Sequence, residues 1–366
     1  MTIRIGILTA PKIDFEQRGK TFVLHNVRIG IGFHWDRRED QEFAGRLEIL
    51  HNADGTETAV NVIDLEDYLC SVISSEMSAN SPMELLKAHA VISRSWAIRA
   101  IEANKQSQTI LNNAEPHTTI YESNGHIGFD VCADDHCQRY EGLARMNDRA
   151  VQAVRATEGQ VLTYGNKVCD CRFHKCCGGR TEEFETCWED IHVPYLESVE
   201  CPYCDPAYGN KSHQPNAPIK GTLKQCLNDY DLETTDYHDW QITYTPSELG
   251  AIIRGKSGID FGDIIDLIPL KRGKSGRIYE LEIVGTKHHQ IIGKELVIRR
   301  WLSKTCLYSS WFDIKRNANS DIVLSGHGWG HGVGLCQIGA ATMAAEGFTY
   351  DKILSHYYPG SSLAHA

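Results

Sequence analysis

At 366 residues the chain has room for two or three ordinary domains, or for one domain with large insertions. Its 42% hydrophobic and 23% charged residues describe a globular protein and exclude a fibre or a disordered chain. The formal net charge of −11 removes the basic face that a nucleic-acid partner needs, and no run of about 18 apolar residues offers a membrane span. Substrates recognised mainly by negative charge are also disfavoured, whereas a neutral or weakly charged polymer such as a sugar strand stays open.

The N-terminus, Met1 to Ala10, carries one charged side chain and a short apolar alternation, so it reads as a β-strand and not as a signal peptide. Either the protein stays inside, or its export signal is missing from this chain or of an unusual kind. Alternation continues to about Val62, broken by turn signals such as Asp54-Gly55. Val27, Ile29, Ile31 and Phe33, then Leu47, Ile49 and Leu50, predict short antiparallel strands. Asp64 can cap a first helix running through about Ile73. Ser81-Pro82-Met83-Glu84 is a capping box with proline at the first helical position, and predicts a second helix from Pro82 to about Glu102.

From about Asn112 to Tyr208 the chain is loop-rich and holds nine of its thirteen cysteines. Beyond it, residues following Tyr244 predict a short helix, while Tyr279 to Val284 and Leu296 to Arg299 predict strands. The last segment predicts a glycine-rich strand or loop and then two helices, stopped by Gly347 and by Pro359-Gly360.

Three features carry chemistry. Glu76 falls in a short, mostly apolar connection between the two helices, where partial desolvation would suit a carboxyl to proton donation; a solvent-facing linker glutamate is the bland alternative. The second helix is apolar nearly all round and should be buried, so Lys87 and Arg94 need partners there: a structural carboxylate or a bound ligand. In Ser325 to Leu335 glycine takes every even position from Gly326 to Gly334. If extended, one face is bare backbone and the other carries His327, Trp329, His331, Val333 and Leu335. Trp329 could then stack on a sugar and His331 donate a hydrogen bond; tight packing in a small barrel is the alternative. Neither G-x-G-x-x-G nor a P-loop is present.

The cysteines divide into groups. His126, Cys132, His136 and Cys137 supply two nitrogens and two thiolates within twelve residues, a sound zinc set though not a standard finger; surface histidines beside free cysteines are the alternative. Cys169, Cys171, His174, Cys176, Cys177 and Cys187 could bind metal or form disulfides. Cys201-Pro-Tyr-Cys204 has redox-pair spacing, yet Asp205-Pro206 follows where such a pair should open a helix. The odd cysteine count leaves the redox compartment undecided.

Together these motifs resemble the sporulation stage II protein D/LytB family. Leu65 to Leu69, Ser74-Ser-Glu-Met and Leu86 to Ala97 look like its first signature, and Gly330 to Ala340 with Ile353 to Gly360 like its closing one. Thr157 to Tyr164, Phe173-His174, Gly178 to Glu182 and Pro194-Tyr-Leu also match, so the resemblance spans roughly residues 25 to 363. It implies an α+β protein with antiparallel or barrel-like sheets, a helical block around the active site and a loop-rich Cys/His segment. Residues 1–24 would be a strand extension, 25–366 the catalytic domain and 217–303 an inserted αβ subdomain. The implied activity is a lytic transglycosylase acting on peptide-stripped peptidoglycan strands, with Glu76 as acid/base and Lys87, Arg94, Trp329, His331 and Gln337 holding substrate or orienting the acid. His126, Cys132, His136 and Cys137 would hold a structural zinc ion. A cell-wall amidase is an implied partner, and a non-catalytic amidase enhancer or a zinc hydrolase are the rival readings. The family implies the cell envelope or periplasm; the lack of a visible signal peptide leaves the cytoplasm open. Gln is common in the family where His89 stands and Ser where Cys336 stands, and Cys176-Cys177 replaces small polar residues.

Overall fold

The computed structural model describes residues 1–33, 36–104, 126–134, 136–205 and 238–366, and the backbone of 117–119. The chain opens on a four-stranded sheet ordered 46–51, 57–64, 2–10 and 131–132, with the first strand at its interior. A second sheet of three antiparallel strands (15–18, 21–29, 37–44) packs beside it. Residues 57–64 lead directly into helix α1 (Leu65–Glu76), whose first turn is capped by the Asp64 carboxylate accepting from the amide of Glu66. Helix α2 (Met83–Asn104) lies buried over most of its length, with Leu85, Leu86, Val91 and Ile92 fully covered. At its start the Ser81 amide donates to the Ser78 carbonyl, and the Glu84 carboxylate accepts from Lys87 and from the amide of Tyr350.

A helix that periodicity did not single out follows, α3 (Asp148–Ala156), capped by the Asn147 side chain. It buries Ala150, Ala153 and Val154, the i, i+3, i+4 stripe of a short amphipathic helix, against α1 and α2. A second hydrophobic core gathers residues between Trp240 and Leu324 around α4 (Pro246–Ser257), α5 (Glu295–Trp301) and the sheets of 239–244, 312–316 and 322–327 and of 264–272, 278–285 and 289–293. Residues 217–237 of the expected insertion lie outside the described residues.

Three expectations are corrected. Leu296 to Arg299 is part of α5 and not a strand; Val297, Ile298 and Trp301 are buried at helical spacing, and a four-residue apolar run cannot distinguish the two. Ile31 and Phe33 fall beyond a strand that ends at Ile29, because Gly30 turns at φ +66° and donates its amide to Asp134. No barrel closes among the described residues: the strands split into six open sheets of two to four members. The chain ends in α6 (Gln337–Ala345), α7 (Tyr350–Tyr357) and a strand, 362–365, paired to 160–164.

Candidate active site and metal centre

Helix α1 runs three residues further than its apolar pattern suggested, so Glu76 is its last residue and not part of a free connection. The hydroxyls of Ser74 and Ser75 bond back to the carbonyls of Cys70 and Ser71 at 2.6 and 2.8 Å, which lets the polar Ser-Ser-Glu end stay buried. The side chain of Glu76 is 9% exposed, and its Oε1 accepts from the backbone amide of Arg139 at 3.0 Å.

That amide belongs to a segment, 138–142, laid along α1. Tyr68 donates to Gln138 Oε1 at 3.1 Å, Ser71 to the Gly142 carbonyl at 2.6 Å, and the Glu141 amide to Ser75 Oγ at 3.2 Å. Tyr140 is buried between Phe43 and Tyr68 and donates to Asn61 at 2.7 Å. Glu141 pairs with Arg145 at 2.7 Å, and burial pushes its carboxyl pKa up against the pull of the surrounding arginines. None of Gln138, Arg139 and Glu141 was singled out by sequence; their one signal was position, immediately after Cys137.

Immediately upstream, His126, Cys132, His136 and Cys137 bring one ligand atom each to within 4.8 Å of one another. His126 Nε2 lies 3.2 Å from Cys137 Sγ, and His136 Nδ1 lies 3.5 and 3.8 Å from the sulfurs of Cys137 and Cys132. A tetrahedral zinc ion with bonds of about 2.0–2.3 Å separates such ligands by roughly 3.5 Å, so the donor set fits. The loop is anchored on both flanks. Cys132 pairs with Gly6 in the first sheet, and Asp134 accepts from the amides of Gly30 and Ile31. Arg139, whose amide holds Glu76, is two residues beyond Cys137.

The remaining candidates sit in other surroundings. Lys87 pairs with Glu84 at 2.7 Å and lies over the Tyr350 ring. Arg94 is 1% exposed and meets a structural carboxylate: both Glu66 oxygens, each at 2.7 Å, while Gln160 O accepts at 2.9 Å. Breaking that buried pair with Arg94→Ala is expected to cost about 3–5 kcal/mol, read by denaturant unfolding, because it strands the Glu66 charge. Gln337, the first residue of α6, is buried and donates to His89 Nε2 at 2.9 Å, while His89 Nδ1 faces Ser93 Oγ.

The glycine run is not an extended strand with a bare face. The continuous strand ends at His327, and Gly328, Gly330, Gly332 and Gly334 all take φ between +70° and +98°. The run is a chain of turns that wraps the buried Arg277 guanidinium, which donates to the carbonyls of Gly330 and Cys177. A Cβ on Gly332 would meet that guanidinium at 2.5 Å. Trp329 is buried edge-on to Tyr308, and its backbone pairs with Cys176. His331 sits between His174 and Trp188; its Nδ1 accepts from the Val333 amide at 3.0 Å, which places its proton on Nε2.

Burial depresses the His331 pKa well below its ordinary value and that of His89 to about 3, so both are neutral at neutral pH. For His89 the sign follows directly. Its folded pKa is lowered, so its full contribution is present above the unfolded value of about 6.5 and falls at about 1.4 kcal/mol per pH unit down to the folded one. His89→Gln keeps a partner for Gln337 and is expected to make acid unfolding less steep by one proton in a pH series of stability measurements.

Residues 53–164 match the family model described as stage II sporulation protein. Stage II sporulation protein D of Bacillus subtilis is 28% identical over 312 residues, covering 84% of this chain and 76% of that one. An uncharacterized protein of Brachyspira hyodysenteriae is 32% identical over 321 residues, covering 87% of this chain and 71% of its own. The chain belongs to the stage II sporulation protein D/LytB family. An amidase enhancer of Bacillus subtilis is 26% identical over 322 residues, covering 81% of this chain and 40% of the enhancer. Within this family member, Glu76, the segment 138–142 and the His/Cys set all fall inside the matched 53–164 region. Residues 182–334 match a separate model, a domain of unknown function (DUF8618).

Proposed function

We propose that the protein is a peptidoglycan lytic transglycosylase, cutting between N-acetylmuramic acid and N-acetylglucosamine in peptide-stripped strands with Glu76 as its only acid/base. The observation that carries this reading is a nearly buried carboxyl at a helix end, fixed by the Arg139 amide inside the region that marks the family. The Glu76 carboxyl gives its proton to the glycosidic oxygen as the bond from C1 breaks. The carboxylate then takes the proton of the muramic acid 6-hydroxyl as that oxygen bonds to C1. A 1,6-anhydro ring closes and no water is consumed, so the second carboxylate of an ordinary glycosidase is not needed.

His126, Cys132, His136 and Cys137 would hold zinc in this reading. Four protein ligands leave no open position, so the ion supplies rigidity to the loop that carries Arg139. The amidase enhancer relative favours a second reading, in which the protein binds glycan and assists a cell-wall amidase without cutting. Mass spectrometry of purified peptide-free strands incubated with the protein alone separates the readings. Anhydro-ended fragments are expected; reducing ends would mean a hydrolase, and intact strands the enhancer. The cell envelope is the compartment this substrate requires.

A further inference from the structure

We propose that Cys177, Cys201, Cys204 and Cys336 form a second metal centre, a tetrathiolate site for a single structural zinc ion. Their four sulfurs lie within 4.8 Å of one another, and all four side chains are fully buried. The residues come from three separate stretches. Cys177 lies in the turn before Gly178-Gly179, Cys201 and Cys204 bracket the single helical turn Pro202–Cys204, and Cys336 caps α6. The three stretches are far apart in the chain: Cys177 and Cys336 are separated by 159 residues, yet the amide of one donates to the sulfur of the other at 3.3 Å.

The surroundings are built for thiolates. Cys336 Sγ accepts from two amides, Cys177 N and Gly339 N, both at 3.3 Å, at the positive end of α6. Cys177 Sγ accepts from the Gly179 amide at 3.4 Å, and the Tyr357 hydroxyl lies 3.1 Å from Cys201 Sγ. Such donors spread the excess negative charge of four sulfurs around a dication, the usual support given to ligands from outside the coordination shell. Gly339 is required by the same geometry, since a Cβ there would stand 2.5 Å from Cys201 Sγ and 2.3 Å from the Tyr357 oxygen.

The size of the set decides what it holds. Four sulfurs this close enclose one ion and leave no room for several irons bridged by sulfide, and a tetrahedral all-thiolate set suits zinc. The Cys177 and Cys204 sulfurs are 3.3 Å apart, a separation that fits ligands sharing an ion and not a formed disulfide. With all four positions taken by protein the ion has no site for substrate. Its work is to join the turn at 177–179, the 201–204 turn and the start of α6, and so to seat Gln337 against His89.

The centre is tested on the full chain, and nothing in the test reads glycan cleavage. Elemental analysis is expected to give two zinc ions per chain, falling to one in Cys201→Ser/Cys204→Ser and to one in Cys132→Ser/Cys137→Ser. Zinc-edge X-ray absorption on the unaltered protein supplies a second readout that does not depend on the first variant folding. Both sites filled give a mean of about three sulfurs per zinc, and the tetrathiolate site alone gives about four. A mean of about two sulfurs, iron in place of zinc, or a disulfide-linked Cys177–Cys204 peptide from the native protein would each overturn the proposal.

Discussion

Glu76→Gln is expected to lower strand cleavage by about 10²–10⁴-fold, the usual contribution of a positioned acid/base, while leaving the fold intact. The amide keeps an oxygen for the Arg139 N–H, so the 3.0 Å bond that seats the side chain survives. It loses the acidic proton, the second carboxyl oxygen and the ability to take a proton back. The loss should therefore fall on kcat with KM little changed, and thermal unfolding should shift by no more than a degree or two. Anhydro-ended products are counted by mass spectrometry, and strand binding by co-sedimentation. Cleavage at the unaltered rate by the variant would remove Glu76 from the chemistry. Binding by both proteins with cleavage by neither would move the assignment to the enhancer reading.

The parts of this site that were legible in sequence are the local ones. His126, Cys132, His136 and Cys137 span twelve residues, and a short loop can gather them without help from topology. Asp64 marked the start of α1 for the same reason: a cap is a contact two residues long. Where α1 stops was not legible, because its final turn is Ser-Ser-Glu and is buried through hydroxyls bonding back to the helix, which a hydrophobic pattern does not record.

The failures are failures of topology or of backbone sign. A glycine at every second position reads as a strand only if φ is negative, and four of these glycines adopt positive φ around Arg277, a residue some fifty positions earlier in the chain. Arg94 posed a question that sequence could frame and not answer, since Glu66 is on another helix, 28 residues away. The tetrathiolate set is the extreme case. Cys201-x-x-Cys204 offered only redox-pair spacing in sequence, and the two cysteines it meets come from before and far behind it. Cysteine spacing states a capacity, and only the fold states which thiols meet.

The His/Cys loop and the segment that follows it meet one mechanical demand, that the carboxyl at the end of α1 be held still. Removing the first metal ion is the direct test of that demand. Cys132→Ser/Cys137→Ser is expected to lose one zinc and to lower cleavage by about 10²-fold, the order of effect that a displacement of roughly 1 Å at a catalytic group produces. The route is short: Cys137 is the last of the four His/Cys residues that could hold the ion, Arg139 follows two residues later, and its amide donates to Glu76. The neighbouring ties, Tyr68 to Gln138 and Ser71 to Gly142, would hold the segment against α1, so strand binding and global stability should fall far less than the rate. Cobalt or cadmium supplied in place of zinc is expected to restore cleavage in the unaltered protein, because a brace needs only four bonds of nearly the right length. If zinc loss leaves the rate untouched, the loop does not position Glu76. If only zinc, and no other tetrahedral ion, restores it, the ion acts on the substrate and the bracing argument fails.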